Sequence, residues 1–268
     1  MLGTDLCALL RAAGQRVVAL DLPECDITQP EPLARALEGV TAVVNCAAYT
    51  QVDGAEANAA LADAVNHRAV RTLGALAGAR GVYVLHISTD FVFDGELDRP
   101  YRETDPPRPL SVYGATKLAG EQALAASGCA HAVVRVQWTY GHAGRHFIGK
   151  ILARAAATDE LSVVADQVGS PTWTQDVAAA LGVLLAGRSE GLYHYAAAGY
   201  ASRCEVAAAV LALCGIRGKR VKPCRTADFP AAARRPLNSR FECTRIEALL
   251  PAPRPHWHAA LGRYLAGS

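Results

Sequence analysis

Tyr113 and Lys117 stand four residues apart, and the hydroxyl-bearing Thr89 lies 24 positions before the tyrosine. Hydride reduction of a ketone leaves negative charge on oxygen, and a proton must arrive there. A phenol can give one, although its ordinary pKa is about 10. A neighbouring ammonium favours the phenolate and brings that value nearer the operating pH, where acid–base catalysis is most efficient. On a helix, residues i and i+4 share a face, so Tyr113 and Lys117 can point into one cleft. Thr89 would add a hydrogen bond to the carbonyl oxygen as charge develops. This set suits a nicotinamide-dependent carbonyl reductase. A bare Tyr-x-x-x-Lys is more often ordinary helix surface. Three features weigh against that reading: Ser88-Thr89-Asp90 at a strand end, the interval between the two blocks, and the Pro-rich loop 99–107.

The elements that would position these groups can be read from the chain. Val112 to Ala126 is rich in Ala, Leu, Lys, Glu and Gln, which favour helix. Val82 to Ile87 reads as a buried parallel strand, which puts Thr89 at its carboxyl end, where open α/β sheets bind ligands. Strands are also expected over 16–21, 42–45 and 131–135, alternating with helices over 30–37 and 57–79. The alternation predicts an α/β fold: a Rossmann-type, doubly wound parallel sheet with helices on both faces. Beyond residue 141 the pattern loosens into a strand at 161–164, a helix at 174–185, a strand at 192–195, a helix at 204–214 and a basic tail. The expected organisation is a dinucleotide-binding domain over 1–140 and a smaller C-terminal substrate lobe over 141–268, interleaved with the sheet.

Composition narrows the classes. At 268 residues the chain can bury a sizeable core. A net charge of +2 gives no electrostatic case for nucleic acid or an anionic membrane. No apolar run reaches the roughly 18 residues of a membrane helix, and no signal peptide is evident. The 8 cysteines are scattered without a Cys-x-x-Cys, as expected for reduced, mostly buried thiols in a cytoplasmic protein with no metal.

A longer pattern then becomes specific. His86-Ile-Ser-Thr-Asp-Phe-Val-Phe-Asp-Gly95, Tyr101-Arg-Glu-Thr-Asp-Pro106 and Val112-Tyr-Gly-Ala-Thr-Lys-Leu-Ala-Gly-Glu121 together resemble the dTDP-4-dehydrorhamnose reductase family, within the extended short-chain dehydrogenase/reductases. The resemblance runs over nearly the whole chain. It implies reduction of the C4 keto group of a dTDP-4-keto-6-deoxyhexose by NADPH or NADH. In that reading Tyr113 is the acid, Lys117 holds the nicotinamide ribose, and Thr89 orients the carbonyl.

The resemblance also assigns a cofactor site. The family's Gly-rich turn ends in Met-Leu-Gly, and the chain opens with Met1-Leu2-Gly3. The first strand and first glycines are therefore expected to be missing from this sequence, either because its start is placed late or trimmed, or because they are truly lacking. Asp21 is the expected ribose acceptor, which mildly favours NADH, and Asp26 and Ile27 the adenine-flanking pair. Ala47, Ala48, Tyr49 and Thr50 belong to a small-residue block that lets the cofactor pass close to the backbone. Asn66, set mid-helix against its propensity, reads as a brace for the site or as a plain polar position.

For the substrate, the family pattern points to Thr89, Asp90, Phe91, Trp138 and Arg235. An indole offers a flat apolar face and one donor, which suits a deoxyhexose. Guanidinium forks of the tail, Arg235 among them, fit a diphosphate. Phe91 departs from the Tyr common at that position, so one hydroxyl is absent. Two other readings stay open. The regulatory β subunit of methionine adenosyltransferase, a non-catalytic NADP-binding relative, keeps the Tyr-x-x-x-Lys block; Trp138 and the Asp166-Gln167 block favour the enzyme over it. A related nucleotide-sugar reductase or epimerase is the other. Some family members pair as metal-bridged dimers, so a homodimer is one expected state, without a ligand cluster in sequence to bridge it.

Overall fold

The computed structural model describes residues 1–267. The chain begins with helix α1 (Leu2–Ala12), then α2 (Pro30–Ala36), which opens on a proline suited to a first turn, and strand β1 (Ala42–Asn45). Helices α3 (Val52–Ala57), α4 (Ala59–Asp63) and α5 (Ala69–Arg80) lead to β2 (Tyr83–Thr89). Gly81, in the left-handed region at φ 65°, ends α5 where a side chain would be strained. Helix α6 (Val112–Ala125) is capped by Ser111, whose hydroxyl accepts from the Gly114 N–H, and leads to β3 (His131–Val136).

The remainder runs β4 (Thr139–Tyr140), α7 (Phe147–Ala157), β5 (Glu160–Val164), β6 (Val168–Gly169), β7 (Thr172–Trp173) and α8 (Thr174–Gly187). It continues through β8 (Gly191–Tyr195), β9 (Ala201–Ser202), α9 (Arg203–Leu213), β10 (Arg220–Cys224), α10 (Thr244–Glu247) and α11 (Trp257–Ala266). The main sheet has the order β1-β2-β3-β8, all parallel. It is the Rossmann-type α/β arrangement. β8 comes from the C-terminal half, so the two halves share one sheet.

The pleat sorts the core by alternation. Tyr83 and Leu85 face a cluster built with Leu6 of α1 and Val177, Leu181 and Leu184 of α8, while Val84 faces Val70, Leu73 and Leu124 on the other side. Covering both faces explains why β2 reads as a continuous apolar run. A separate cluster, including Ile148, Leu161, Val206, Trp257 and Leu261, forms the interior of the smaller lobe, where β5 pairs with β10.

Two elements differ from expectation. Residues 16–21 do not form a strand. Among the described residues no strand lies between them and β1 to supply backbone partners, and Val18, Leu20 and Leu22 are 62%, 47% and 68% exposed. The single helix expected over 57–79 is broken at Asn58 and interrupted by a π-helical turn at Ala64–Arg68. That turn directs Asn66 inward. Its amide accepts from the Tyr49 N–H (2.9 Å) and donates to the Tyr49 carbonyl and to Thr116 (both 3.2 Å). The cysteines are all free, but only Cys25, Cys129 and Cys243 are buried. No helix among the described residues is long and apolar enough to cross a membrane.

Helix α6 lies so close to its neighbours that two of its glycines have no room for a side chain. A Cβ on Gly120 would sit 2.2 Å from the Asn66 carbonyl oxygen, and one on Gly114 would sit 2.1 Å from that of Phe91. Gly120→Ala is expected to destabilise the fold by about 1–3 kcal/mol through overpacking. Gly262→Ala on α11, where a Cβ meets nothing within 4 Å, is expected to be neutral or stabilising by up to about 1 kcal/mol. Urea midpoints of the two variants check both signs.

Candidate active site

β2 ends in a single 3-10 turn at Asp90–Val92, and Ser111 starts α6 across from it. This brings Thr89, Tyr113 and Lys117 to the carboxyl end of the sheet. All three line one cleft of about 2210 Å³. Its size exceeds the roughly 300–1,000 Å³ of a single small-molecule pocket. Residues 16–22 and β1 contribute to its lining.

Tyr113 is buried, and burial is the main cause that raises its pKa to about 12; Asp90 adds to the rise and the Thr89 hydroxyl opposes it. The ring packs edge-on against Phe91, with centroids 5.5 Å apart. The group is therefore a protonated phenol across the physiological range. Lys117, also buried, points its Nζ at the Ile87 carbonyl (2.6 Å) and at His86 Nε2 (3.3 Å). Burial pulls its pKa down to about 8, against the attraction of Glu121 and Cys46. Lys117 is not among the charges acting on Tyr113 here; the ammonium is drawn back onto β2.

His86 is a contributor that sequence reading passed over, because a histidine inside an apolar strand looks like core. Its ring lies between Lys117 and Asn45, whose Nδ2 is 3.1 Å from His86 Nδ1. Burial and the Lys117 charge hold its pKa well below the usual histidine value, so it stays neutral. Asn45 also accepts from the Ala47 N–H at 3.1 Å, which fixes the turn that leaves β1.

The residues expected from sequence to touch cofactor or substrate also line this cleft, whereas Asn66 stands behind it. Met1, Leu2 and Gly3 lie at the start of α1, and Ala47, Ala48, Tyr49 and Thr50 in the loop after β1. Asn66 holds that loop through both backbone groups of Tyr49. Asp21, Asp26 and Ile27 line the cleft as well. Asp21 is exposed, whereas Asp26 is occupied by Thr28, whose N–H and hydroxyl donate to it at 2.9 and 2.7 Å. Small side chains and the amino end of a helix are features that let a dinucleotide's phosphates approach the backbone.

On the substrate side, Asp90 is buried and receives hydrogen bonds from Ser239 (2.5 Å) and Thr89 (3.1 Å). Burial is the largest influence and raises its pKa, with those bonds and Arg203 opposing. Trp138 follows β3 with φ 46°, a conformation rare for an aromatic residue. Gly169 makes room for it: a Cβ there would lie 2.7 Å from the indole. The Asp166-Gln167 block is thus scaffolding. Asp166 accepts from the Thr226 N–H at 2.9 Å and Gln167 donates to the Thr226 hydroxyl at 3.1 Å, anchoring the loop behind Trp138. Arg235 is committed to Asp53 by two bonds, of 2.5 and 3.1 Å.

Known proteins share this fold and much of this sequence. The model of the RmlD substrate binding domain family matches residues 1–268. The chain belongs to this family. It is 40% identical over 271 residues to a dTDP-4-dehydrorhamnose reductase of Mycobacterium tuberculosis (strain CDC 1551 / Oshkosh), covering 99% of this chain and 89% of that one. It is 36% identical over 270 residues to a dTDP-4-keto-6-deoxy-D-glucose reductase of Streptomyces niveus, covering 97% and 92%. The crystal structure of dTDP-4-dehydrorhamnose reductase from Bacillus anthracis in complex with NADP superposes with a TM-score of 0.95 at 31% identity, covering 100% of this chain and 95% of the other.

Beneath the cleft, Glu121 of α6 meets Arg135 of β3 in a buried ion pair, with bonds of 2.6, 2.9 and 3.2 Å. Ser88 of β2 donates to the same carboxylate. Glu121→Ala leaves Arg135 buried and unpaired, and is expected to cost about 3–5 kcal/mol. The double change Glu121→Leu with Arg135→Met is expected to recover most of that loss. Equilibrium denaturation of the three proteins tests the ordering.

Proposed function

We propose that this protein reduces the C4 keto group of a dTDP-4-keto-6-deoxyhexose with NADPH, or with NADH, in the formation of a dTDP-rhamnose-type product. One observation carries the reading. A protonated phenol, a strand-end hydroxyl and a buried lysine meet in one cleft, in a chain of this family whose relatives are named for that reaction. The bound nicotinamide would supply the hydride. Tyr113 gives its proton to the C4 oxygen, and the Thr89 hydroxyl orients that oxygen and stabilises its developing charge. Lys117 leaves the Ile87 carbonyl to bind the nicotinamide ribose. Met1–Gly3, Asp21, Asp26–Ile27 and Ala47–Thr50 line the rest of the dinucleotide's course, and Asp90, Phe91 and Trp138 surround the sugar. Trp138 and its supporting loop favour this enzyme over the non-catalytic regulatory subunit. The relatives are named for two 4-keto sugars, and product stereochemistry then rests on which face of C4 the Trp138 wall presents. A diffusible nucleotide-sugar substrate is in keeping with a cytoplasmic enzyme.

Tyr113→Phe is expected to lower turnover by at least ~10²-fold, since it removes the general acid, while binding of NADPH stays within a few-fold. NADPH oxidation with a dTDP-4-keto sugar, beside a fluorescence titration of NADPH alone, tests this; unchanged turnover refutes the assignment. Lys117 contributes a second expectation. Its folded pKa lies near 8, so its charge is present below that pH and lost above it. The kcat/KM profile should therefore fall by about tenfold per pH unit on the alkaline side of ~8. A profile flat to pH 10 contradicts a cationic role for Lys117.

A further inference from the structure

Arg203 opens α9 and lines the same cleft. Its guanidinium lies over the Trp138 indole, 3.5 Å from the ring centroid, and 4.9 Å from the Phe147 ring. Among the described residues nothing accepts a hydrogen bond from it, and no carboxylate is within ion-pair distance. A guanidinium carries its N–H donors around its edge, in its own plane. Stacking uses the faces and leaves that edge free. The indole thus fixes the orientation of a cation whose donors remain unused.

Arg235, the cation indicated by the sequence pattern, is in the opposite condition. Asp53 takes it from two directions and the Ala233 carbonyl takes a third bond at 2.8 Å. Its charge is already balanced. Arg203 also has the right neighbours. Thr89, the expected partner of the keto oxygen, is bonded to Asp90; the Asp90 charge acts on Arg203, and Arg235 lies near enough to repel it. Arg203 thus shares the cleft with Thr89 and Asp90. Asp90 is not in ion-pair contact with it; the Asp90 carboxyl accepts instead from Ser239 and Thr89.

We propose that Arg203, stacked on Trp138, is the residue that binds the diphosphate of the nucleotide sugar, and that Arg235 serves to hold Asp53 and the tail in place. The assignment rests on the nucleotide-sugar reading of the cleft. It also gives Trp138 a second role. One face of the indole platforms the cation, so the sugar is met by the remaining face or edge.

Calorimetric titration of dTDP and of thymidine into the wild type, Arg203→Gln, Arg203→Lys and Arg235→Gln tests it. Arg203→Gln should weaken dTDP by roughly 10- to 100-fold, the worth of hydrogen bonds to a charged group, and leave thymidine unchanged. Arg203→Lys should fall between, because an ammonium keeps the charge but not the planar stack. Arg235→Gln should stay within about threefold of wild type for dTDP. If wild type binds dTDP and Arg203→Gln binds it equally, or if Arg235→Gln loses as much, this assignment is wrong and the reductase reading stands. If wild type does not bind dTDP, the nucleotide-sugar reading itself fails and takes the assignment with it.

Discussion

The buried pair between Glu121 and Arg135 is the constraint on which the rest of the site depends. It joins α6 to β3, and through Ser88 it includes β2. Two charges withdrawn from water repay their desolvation only in good geometry with their other bonding positions filled. Here the carboxylate receives the Arg135 fork and a serine, while the guanidinium also lies 5.0 Å from the Phe93 ring centroid. Such a pair tolerates little sliding. It therefore fixes the register of α6 against the strand ends, and with it the positions of Lys117 and Tyr113, one and two turns earlier on the same helix. His194, 3.4 Å from Arg135, is kept neutral by burial and by that charge, so no second cation disturbs the pair.

A close steric fit reinforces this register. Gly114 and Gly120 bring α6 against the Phe91 and Asn66 carbonyls, and Asn66 in turn holds the loop after β1 through Tyr49. The helix that carries the acid and the loop that borders the cofactor course thus share one support. A π-helical turn, a local irregularity with an intrinsic cost, supplies it. The wall opposite is built in a similar way: Trp138 in an unfavourable backbone conformation, Gly169 vacating space behind it, and Arg203 stacked on its face.

Much of this arrangement was legible from residue types and spacing. Alternating apolar runs and helix formers mark β1, β2, β3, β8 and α6, because a sheet covered on both faces needs continuous apolar strands. The cleft residues were legible because loops at strand ends carry distinctive small, hydroxyl and acidic side chains. What was not legible depended on partners far away in sequence. The apolar run at 16–21 has strand character, but a strand exists only where a neighbour pairs with it. His86 and Glu121 look like core and surface positions until Lys117 and Arg135 are set beside them. Arg203 sits in an unremarkable helix start, and its importance comes from Trp138, 65 residues earlier. Arg235 looked free because sequence does not reveal that Asp53 has claimed it.

The fit between Trp138 and Gly169 has a consequence for how this wall can vary. The backbone at 138 is in the left-handed region, at φ 46°, and a Cβ on residue 169 would lie 2.7 Å from the indole. A larger residue at 169 is therefore accommodated only by a smaller one at 138. The two positions are constrained to change together, although 31 residues separate them in the chain.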